Sequence, residues 1–207
     1  MSAPAVPLTV LCTAFGPQGG LARLAASLRA IDPAARLIAA GPAAEACPEV
    51  DVVKTAAGIS PGAARNAMLA RVRTPHFALV GDELELHRGA ALADLLAPVL
   101  AGRLDLAAGE LVRCRKKLLV LTNREPAPGH GTFQLDKGSL ALHAGVRTAG
   151  EGYQVCDYAH HFFAARTDKV RAMGGWDPQL VVGNELEFFV RAQRFNVRIG
   201  VCPHVAA

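Results

Sequence analysis

No stretch of this 207-residue chain approaches the roughly 18 consecutive apolar residues that a membrane-spanning helix needs. The first apolar segment lacks a basic stretch before it, so the N-terminus does not read as a secretory signal. The five cysteines, Cys12, Cys47, Cys114, Cys156 and Cys202, are odd in number and form no CxxC. A disulfide framework or a zinc site is therefore not expected, and a reducing, cytoplasmic setting is. Peripheral work at the inner membrane face stays compatible with this. Walker, GxSxG and HExxH motifs are missing, and so is a GxGxxG after a strand. Charge of one sign is lacking too. The formal net charge is +4, short of a nucleic-acid footprint but suited to a small anionic ligand. The densest basic run, Arg113-Cys114-Arg115-Lys116-Lys117, is short enough to be a solvated face.

What is present points to one α/β domain. Hydrophobic residues make up 51% of the chain, inflated by alanine. Leu8–Cys12, Arg36–Ala40, Val50–Lys54 and a run from Phe77 read as buried strands. Leu21–Ile31, Pro61–Arg71 and Leu92–Leu100 read as helices between and after them. This alternation is a βαβ pattern with a right-handed crossover. From Leu104 the pattern becomes mixed. Strands are expected at Leu104–Val112 and Lys117–Leu121, a Pro/Gly loop at Glu125–Gly131, and an irregular connection to about Asp157. A strand at Ala159–Arg166, a short helix at Lys169–Met173, a helix at Glu185–Arg194 and a strand at Val197–Cys202 complete a mixed sheet.

Three stretches carry chemistry. Phe77-Ala78-Leu79-Val80-Gly81-Asp82-Glu83-Leu84-Glu85 is an apolar run that ends in acids. Ligands of open α/β sheets lie beyond the carboxyl ends of strands, where Asp82 and Glu83 supply hard oxygens for Mn²⁺ or Mg²⁺. Gly58-Ile59-Ser60-Pro61-Gly62-Ala63-Ala64-Arg65-Asn66 is a glycine turn running into a helix. It would aim N–H groups at an anion, with Arg65 able to fork onto phosphate or onto Asp82 or Glu83. Gly174-Gly175-Trp176-Asp177-Pro178, followed by Glu185 and Glu187, would bring a flat ring near a sugar and a carboxylate to act as base. The same residues also read as an ordinary core tryptophan and favourable helix-start charges. His160 and His161 fall in an expected strand and so point to opposite faces, one of them toward a site.

Taken in order, "GISPGAARN", "TPHFALVGDELEL" and "FFAARTDKVRAMGGWDPQLVVGNELEFFVRA" resemble a family-2 type, GT-A fold glycosyltransferase. The likeness is closest to the ganglioside-type β1,4-N-acetylgalactosaminyltransferases. It runs over nearly the whole chain and is most specific in the C-terminal third. It implies a Rossmann-like α/β fold with a mixed central sheet flanked by helices. Residues 1–102 would be the nucleotide-binding half and 103–207 the acceptor-side half. It also implies inverting transfer from a UDP-sugar, possibly of N-acetylgalactosamine, with Mn²⁺ or Mg²⁺, to a glycan or glycolipid acceptor. By position, the metal falls to Asp82 and Glu83. Donor contacts fall to Thr13, Gly58, Ser60, Arg65, Asn66 and Asp82. The base falls to Glu187 or Glu185, and acceptor-side contacts to Gly175, Trp176, Asp177 and His161. Gly81 stands where the family has its first acid, and Glu83 where it has an aspartate. The alternative reading is a catalytically degenerate domain that keeps a nucleotide- or sugar-binding pocket. A nucleotidyltransferase ranks last, because Gly16-Pro17-Gln18-Gly19-Gly20 is a poor phosphate loop.

Overall fold

The computed structural model describes residues 7–16, 19–86, 92–117, 121–127 and 129–207, with backbone only for 113–117 and 121–127. The side chains of the Arg113–Lys117 run, and Pro17 and Gln18 of the first turn, lie outside that description.

Four parallel strands build the first half: β1 (Leu8–Thr13), β2 (Arg36–Ala40), β3 (Asp51–Val53) and β4 (His76–Val80). Helices α1 (Gly20–Ile31), α2 (Pro61–Arg71) and α3 (Leu92–Leu100) accompany them. β1 and β4 alternate their side chains between two cores. Val10, Cys12, Ala78 and Val80 pack with Leu24, Leu28, Leu95 and Leu96 of α1 and α3. Leu11, Phe77 and Leu79 pack with Met68 and Leu69 of α2 on the other face. Burial on both faces is why these strands read as continuous apolar runs.

The second half contributes β5 (Leu106–Lys117), β6 (Leu121–Ala127), β7 (His130–Asp136), β8 (Ser139–Ala144), β9 (Thr148–Gly150), β10 (Tyr153–Val155), β11 (Tyr158–Ala159), β12 (Phe162–Arg166) and β13 (Ile199–Ala206). Helices α4 (Thr167–Ala172) and α5 (Asn184–Arg194) lie between β12 and β13. The large sheet runs β3-β2-β1-β4-β12-β5-β13-β10-β9, with β6 paired to β5. A second sheet runs β11-β7-β8. β12 inserts antiparallel between β4 and β5, with Phe162 opposite Val80. The start of β12 therefore lies at the same sheet edge as the end of β4.

The structure corrects the sequence reading in three places. The loop expected at Glu125–Gly131 instead supplies the end of β6 and the start of β7, while the strand expected at Lys117–Leu121 falls mostly on residues 118–120, outside the description. The stretch expected to be irregular up to Asp157 is paired: β7–β8 and β9–β10 are hairpins. The β7–β8 turn is Lys137-Gly138, both at positive φ (47° and 82°), the geometry of a tight two-residue hairpin loop. Asp157 fastens this hairpin. Its buried carboxylate accepts from Phe133 N at 2.8 Å and pairs with Arg147 at 2.6 Å. The strand expected over Ala159–Arg166 is two strands, so His160 and His161 do not alternate across one sheet. His161 sits at the break, where its carbonyl accepts from Gly81 N at 3.0 Å.

Asp105, 2% exposed, ties β13 to the sheet. It accepts from Arg198 Nε and N at 3.0 Å each and from Nη2 at 3.1 Å. Burial works to raise its carboxyl, but the hydrogen bonds from Arg198 outweigh this and hold it below the usual aspartate range. The stability it contributes is present above the ordinary aspartate pKa and is lost as pH falls through the lowered one. Asp105→Ala is expected to cost about 3 kcal/mol at neutral pH, because a buried carboxylate with several donors is removed. Urea melts of both proteins at pH 7 and pH 3 check this; equal stability at pH 7 refutes it.

Candidate active site

The site is assembled at the carboxyl edge of β1 and β4. Thr13 ends β1, and the following turn folds over the acids that leave β4. Asp82 is 6% exposed and its Oδ2 accepts from Gly16 N at 2.7 Å. Gly16 and Gly20 both lie against Asp82 so closely that an added Cβ would strike it. Burial pushes the Asp82 carboxyl up; the Gly16 N–H opposes this and the neighbouring Glu83 carboxylate adds to it. Glu83 is exposed and curls back, so that a Cβ placed on Gly81 would lie 2.6 Å from its Cδ. The Glu83 carboxylate thus occupies the space that a side chain at position 81 would fill. Among the described residues no group of three His, Cys, Asp or Glu stands ready to hold a metal. The carboxylate pair is therefore two protein ligands at most.

Beside this pair lies a buried cluster. Arg65 of α2 is 2% exposed. Its Nη1 donates to Asn184 Oδ1 at 2.6 Å, and its Nη2 donates to Glu185 Oε1 at 3.2 Å. The same Nη2 is 3.1 Å from His161 Nε2, and His161 Nε2 pairs closely with Glu185 Oε1. Arg65 therefore joins Glu185, not Asp82 or Glu83 as its sequence position allowed. Its Nε is buried without a hydrogen-bond partner among the described residues. Burial works to raise the Glu185 carboxyl, yet the hydrogen bond and charge of His161 and the charge of Arg65 prevail and hold it at about 2. Its place in the first turn of α5 also favours the ionised form. Burial raises the Tyr158 hydroxyl, and the charge of Glu185 adds to this, which puts the ring in the field of the cluster. Tyr158 and Asn184 are the residues that sequence reasoning missed. Asn184 had a signal, since it adjoins Glu185 at the helix start.

Other expected site residues stand elsewhere. Trp176 is 2% exposed, stacks on Phe188 at 4.7 Å and 11°, and has the Arg65 guanidinium 5.8 Å from its ring centroid. Its ring belongs to the core and is not open to a sugar. Asn66 holds the Trp176 backbone, with Nδ2 donating to the carbonyl at 2.6 Å and Oδ1 accepting from N at 2.9 Å. Ser60 caps α2 by accepting from Ala63 N at 3.1 Å, and donates to Pro178 O at 2.7 Å. Gly62 lies tightly against the Asp177 carbonyl, and Gly175 against Asn66. The start of α2 is thus covered by the Gly175–Pro178 turn, while Gly58 is an exposed left-handed turn residue at φ 76° before it. Glu187 is locked to Arg191 at 2.6 Å and 2.7 Å, and Arg191 also holds the Met173 and Gly175 carbonyls. Of the two glutamates, Glu185 lies in the cluster and Glu187 braces the turn.

No protein-family model matches the chain, and no curated protein matches it in sequence. Among solved structures, it is similar to residues 1–349 of TarS from S. aureus, a glycosyltransferase, with a TM-score of 0.62 at 15% identity. The match covers 95% of this chain, which spans 58% of the length of that one. The likeness defines the fold: a GT-A type α/β fold with a large mixed central sheet flanked by helices.

The two assignments within α5 and its preceding turn are separable by substitution. Glu185→Gln is expected to lower stability at pH 7 by about 2 kcal/mol, because the lowered pKa is a stability contribution. That contribution is present above the ordinary value of 4.5 and fades as pH falls toward about 2. Chemical melts should therefore show the gap between variant and wild type closing over this window; a gap independent of pH refutes the assignment. Trp176→Ala is expected to cost about 3–5 kcal/mol as a core truncation, with Trp176→Phe costing much less. An unchanged Tm for Trp176→Ala refutes core placement.

Proposed function

We propose that this chain is an inverting glycosyltransferase that moves a sugar, with N-acetylgalactosamine the first candidate, from a UDP-sugar to an acceptor hydroxyl of a glycan or glycolipid. The fold supports the general class. The observation that carries the reading is the juxtaposition, at one sheet edge, of the Asp82–Glu83 pair with the Arg65–His161–Glu185 cluster. Asp82 and Glu83 would hold Mn²⁺ or Mg²⁺. Two adjacent carboxylates, one of them pushed up by burial and further by its neighbour, form a like-charge pair that a divalent cation relieves. Such ions commonly take one or two carboxylates and complete their shell with substrate phosphates and water. When bound, the ion supplies Lewis-acid stabilisation of the departing diphosphate.

The chain's own residues supply the proton chemistry. Glu185, held ionised, is by itself a weak base. Glu185 orients the His161 imidazole through Nε2, and where that ring is uncharged it accepts the proton of the acceptor hydroxyl. Arg65, itself held by Asn184, fixes Glu185 in place. The turn after β1, with Thr13 behind it, sets the position of Asp82. Glu187 acts through Arg191 on the Gly175 turn, a positioning role.

The test is transfer or hydrolysis of UDP-sugars with Mn²⁺. Glu185→Gln and His161→Gln are each expected to lower kcat by about 10²–10⁴ with little change in donor KM. Glu187→Gln is expected to keep kcat within a few-fold once its fraction folded is accounted for. Turnover unaffected by Glu185→Gln and His161→Gln overturns the base assignment. The second reading, a domain that binds nucleotide without turning it over, is favoured by Gly81 at the motif's first acid. UDP melts separate the two. Stabilisation near 2.7 kcal/mol, about the value at a hundred times Kd, only when Mn²⁺ is present supports the enzyme. Metal-independent binding without turnover supports the module.

A further inference from the structure

The opposite end of β4 carries a second cleft, of about 570 Å³, within the size range of small-ligand sites. His76 opens β4 and pairs with Arg166, the last residue of β12, so this cleft lies at the sheet edge away from Asp82. β4 is five residues long, which puts roughly 15 Å between the two edges. The cleft is lined by Arg73, Arg166 and Arg171 with Asp168, an excess of two positive charges in a chain whose total is +4. Much of the positive excess is therefore gathered here.

The guanidiniums of Arg73 and Arg171 are held in place by the backbone. Arg171 Nη2 donates to Leu69 O at 2.9 Å and Val72 O at 2.7 Å, and Arg73 Nη1 donates to Ala70 O at 3.0 Å. These bonds cover the last carbonyls of α2, so the negative helix end does not face an incoming anion. They use one nitrogen of each fork. Arg166 forks onto Asp168 through Nε at 3.1 Å and Nη2 at 2.6 Å. His76 Nδ1 is buried and has no hydrogen-bond partner among the described residues. The His76 ring is part of the wall of this cation-rich cleft, so an anion bound there changes its surroundings.

We propose that this cleft is a second ligand site, distinct from the candidate active site, for a phosphate-bearing anion held by Arg73 and Arg171, with Arg166 and His76 on its wall. The remaining nitrogens of the Arg73 and Arg171 forks suit phosphate oxygens, and Arg166 adds its charge beside them. The phosphate comes either from a soluble diphosphate or from an anionic lipid headgroup, and the recognising chemistry is the same.

Inorganic pyrophosphate is titrated calorimetrically into the full chain with a metal chelator present, in an Asp82→Asn background, so that binding at the carboxylate pair does not contribute. Saturable binding is expected, weakened about tenfold or more by Arg73→Glu, which removes one charge-assisted contact and reverses its sign. Arg194→Glu, an equal charge change at an exposed position of α5, is expected to leave it unchanged. Imidazole ¹⁵N spectra of the otherwise wild-type chain should show one histidine shifting with pyrophosphate, assigned by its loss in His76→Gln; this reading does not depend on how Arg73→Glu folds. Sedimentation with phosphatidylglycerol vesicles identifies the source. Binding to vesicles that pyrophosphate displaces marks a headgroup, and pyrophosphate binding alone marks a soluble anion. The proposal is overturned if neither probe binds, if Arg194→Glu weakens binding as much as Arg73→Glu, or if no His76 signal moves.

Discussion

A guanidinium at 2% exposure dominates the arrangement of this site. Burial pulls the Arg65 pKa down and Glu185 pulls it back up. Arginine stays protonated in proteins, so its charge must be matched where it lies. The match comes from Asn184 and Glu185 at the start of α5 and from contact with His161 before β12. α2, the β11–β12 break and the head of α5 are thereby tied to one point. Asn66, one residue on, holds the Trp176 backbone, and Arg191 holds the same turn from the other side. The region expected to be an open sugar-binding turn is instead the packing that seats Arg65.

The βαβ half was legible because each strand is buried on both faces and each helix carries its apolar residues at helical spacing. The second half was less so. The β7–β8 hairpin turns on Lys137-Gly138, which lacks the Asn-Gly signal of such loops, and its strand residues are mostly exposed. Arg65, His161 and Glu185 were each identified, but 96 and 120 residues separate Arg65 from the other two. A single sequence gives no means of joining them. The choice between Glu185 and Glu187 was closer to hand. Glu187 and Arg191 are four apart on one helix face, the spacing of an intrahelical pair, and that pair removes Glu187 from the cluster.

Charge is sorted along β4. Acids leave its carboxyl end and arginines surround its amino end, with an apolar strand between them. The strand keeps the two groups too far apart to neutralise each other, and its neighbours Phe163, Ala164 and Ala165 on β12 are as apolar as its own residues. Each end therefore retains uncompensated charge of its own sign. A folded domain carries such residual charge without self-neutralisation most readily where counter-charge arrives from outside.

At the carboxyl end, two sequence features that looked independent are one. Gly81 appeared as a lost acid and Glu83 as a substituted one. The Glu83 carboxylate lies where a side chain at position 81 would begin, so the present placement of the glutamate requires the glycine. A shorter side chain at 83 would not reach that space, and any side chain at 81 would displace Glu83 toward solvent. A second carboxylate is thus placed beside Asp82 by the longer acid, which reaches back across position 81. The Glu83 carboxylate is set by the space at 81 and by its side-chain contact with Asp82, and its exposure leaves it adjustable when a ligand brings charge to the edge.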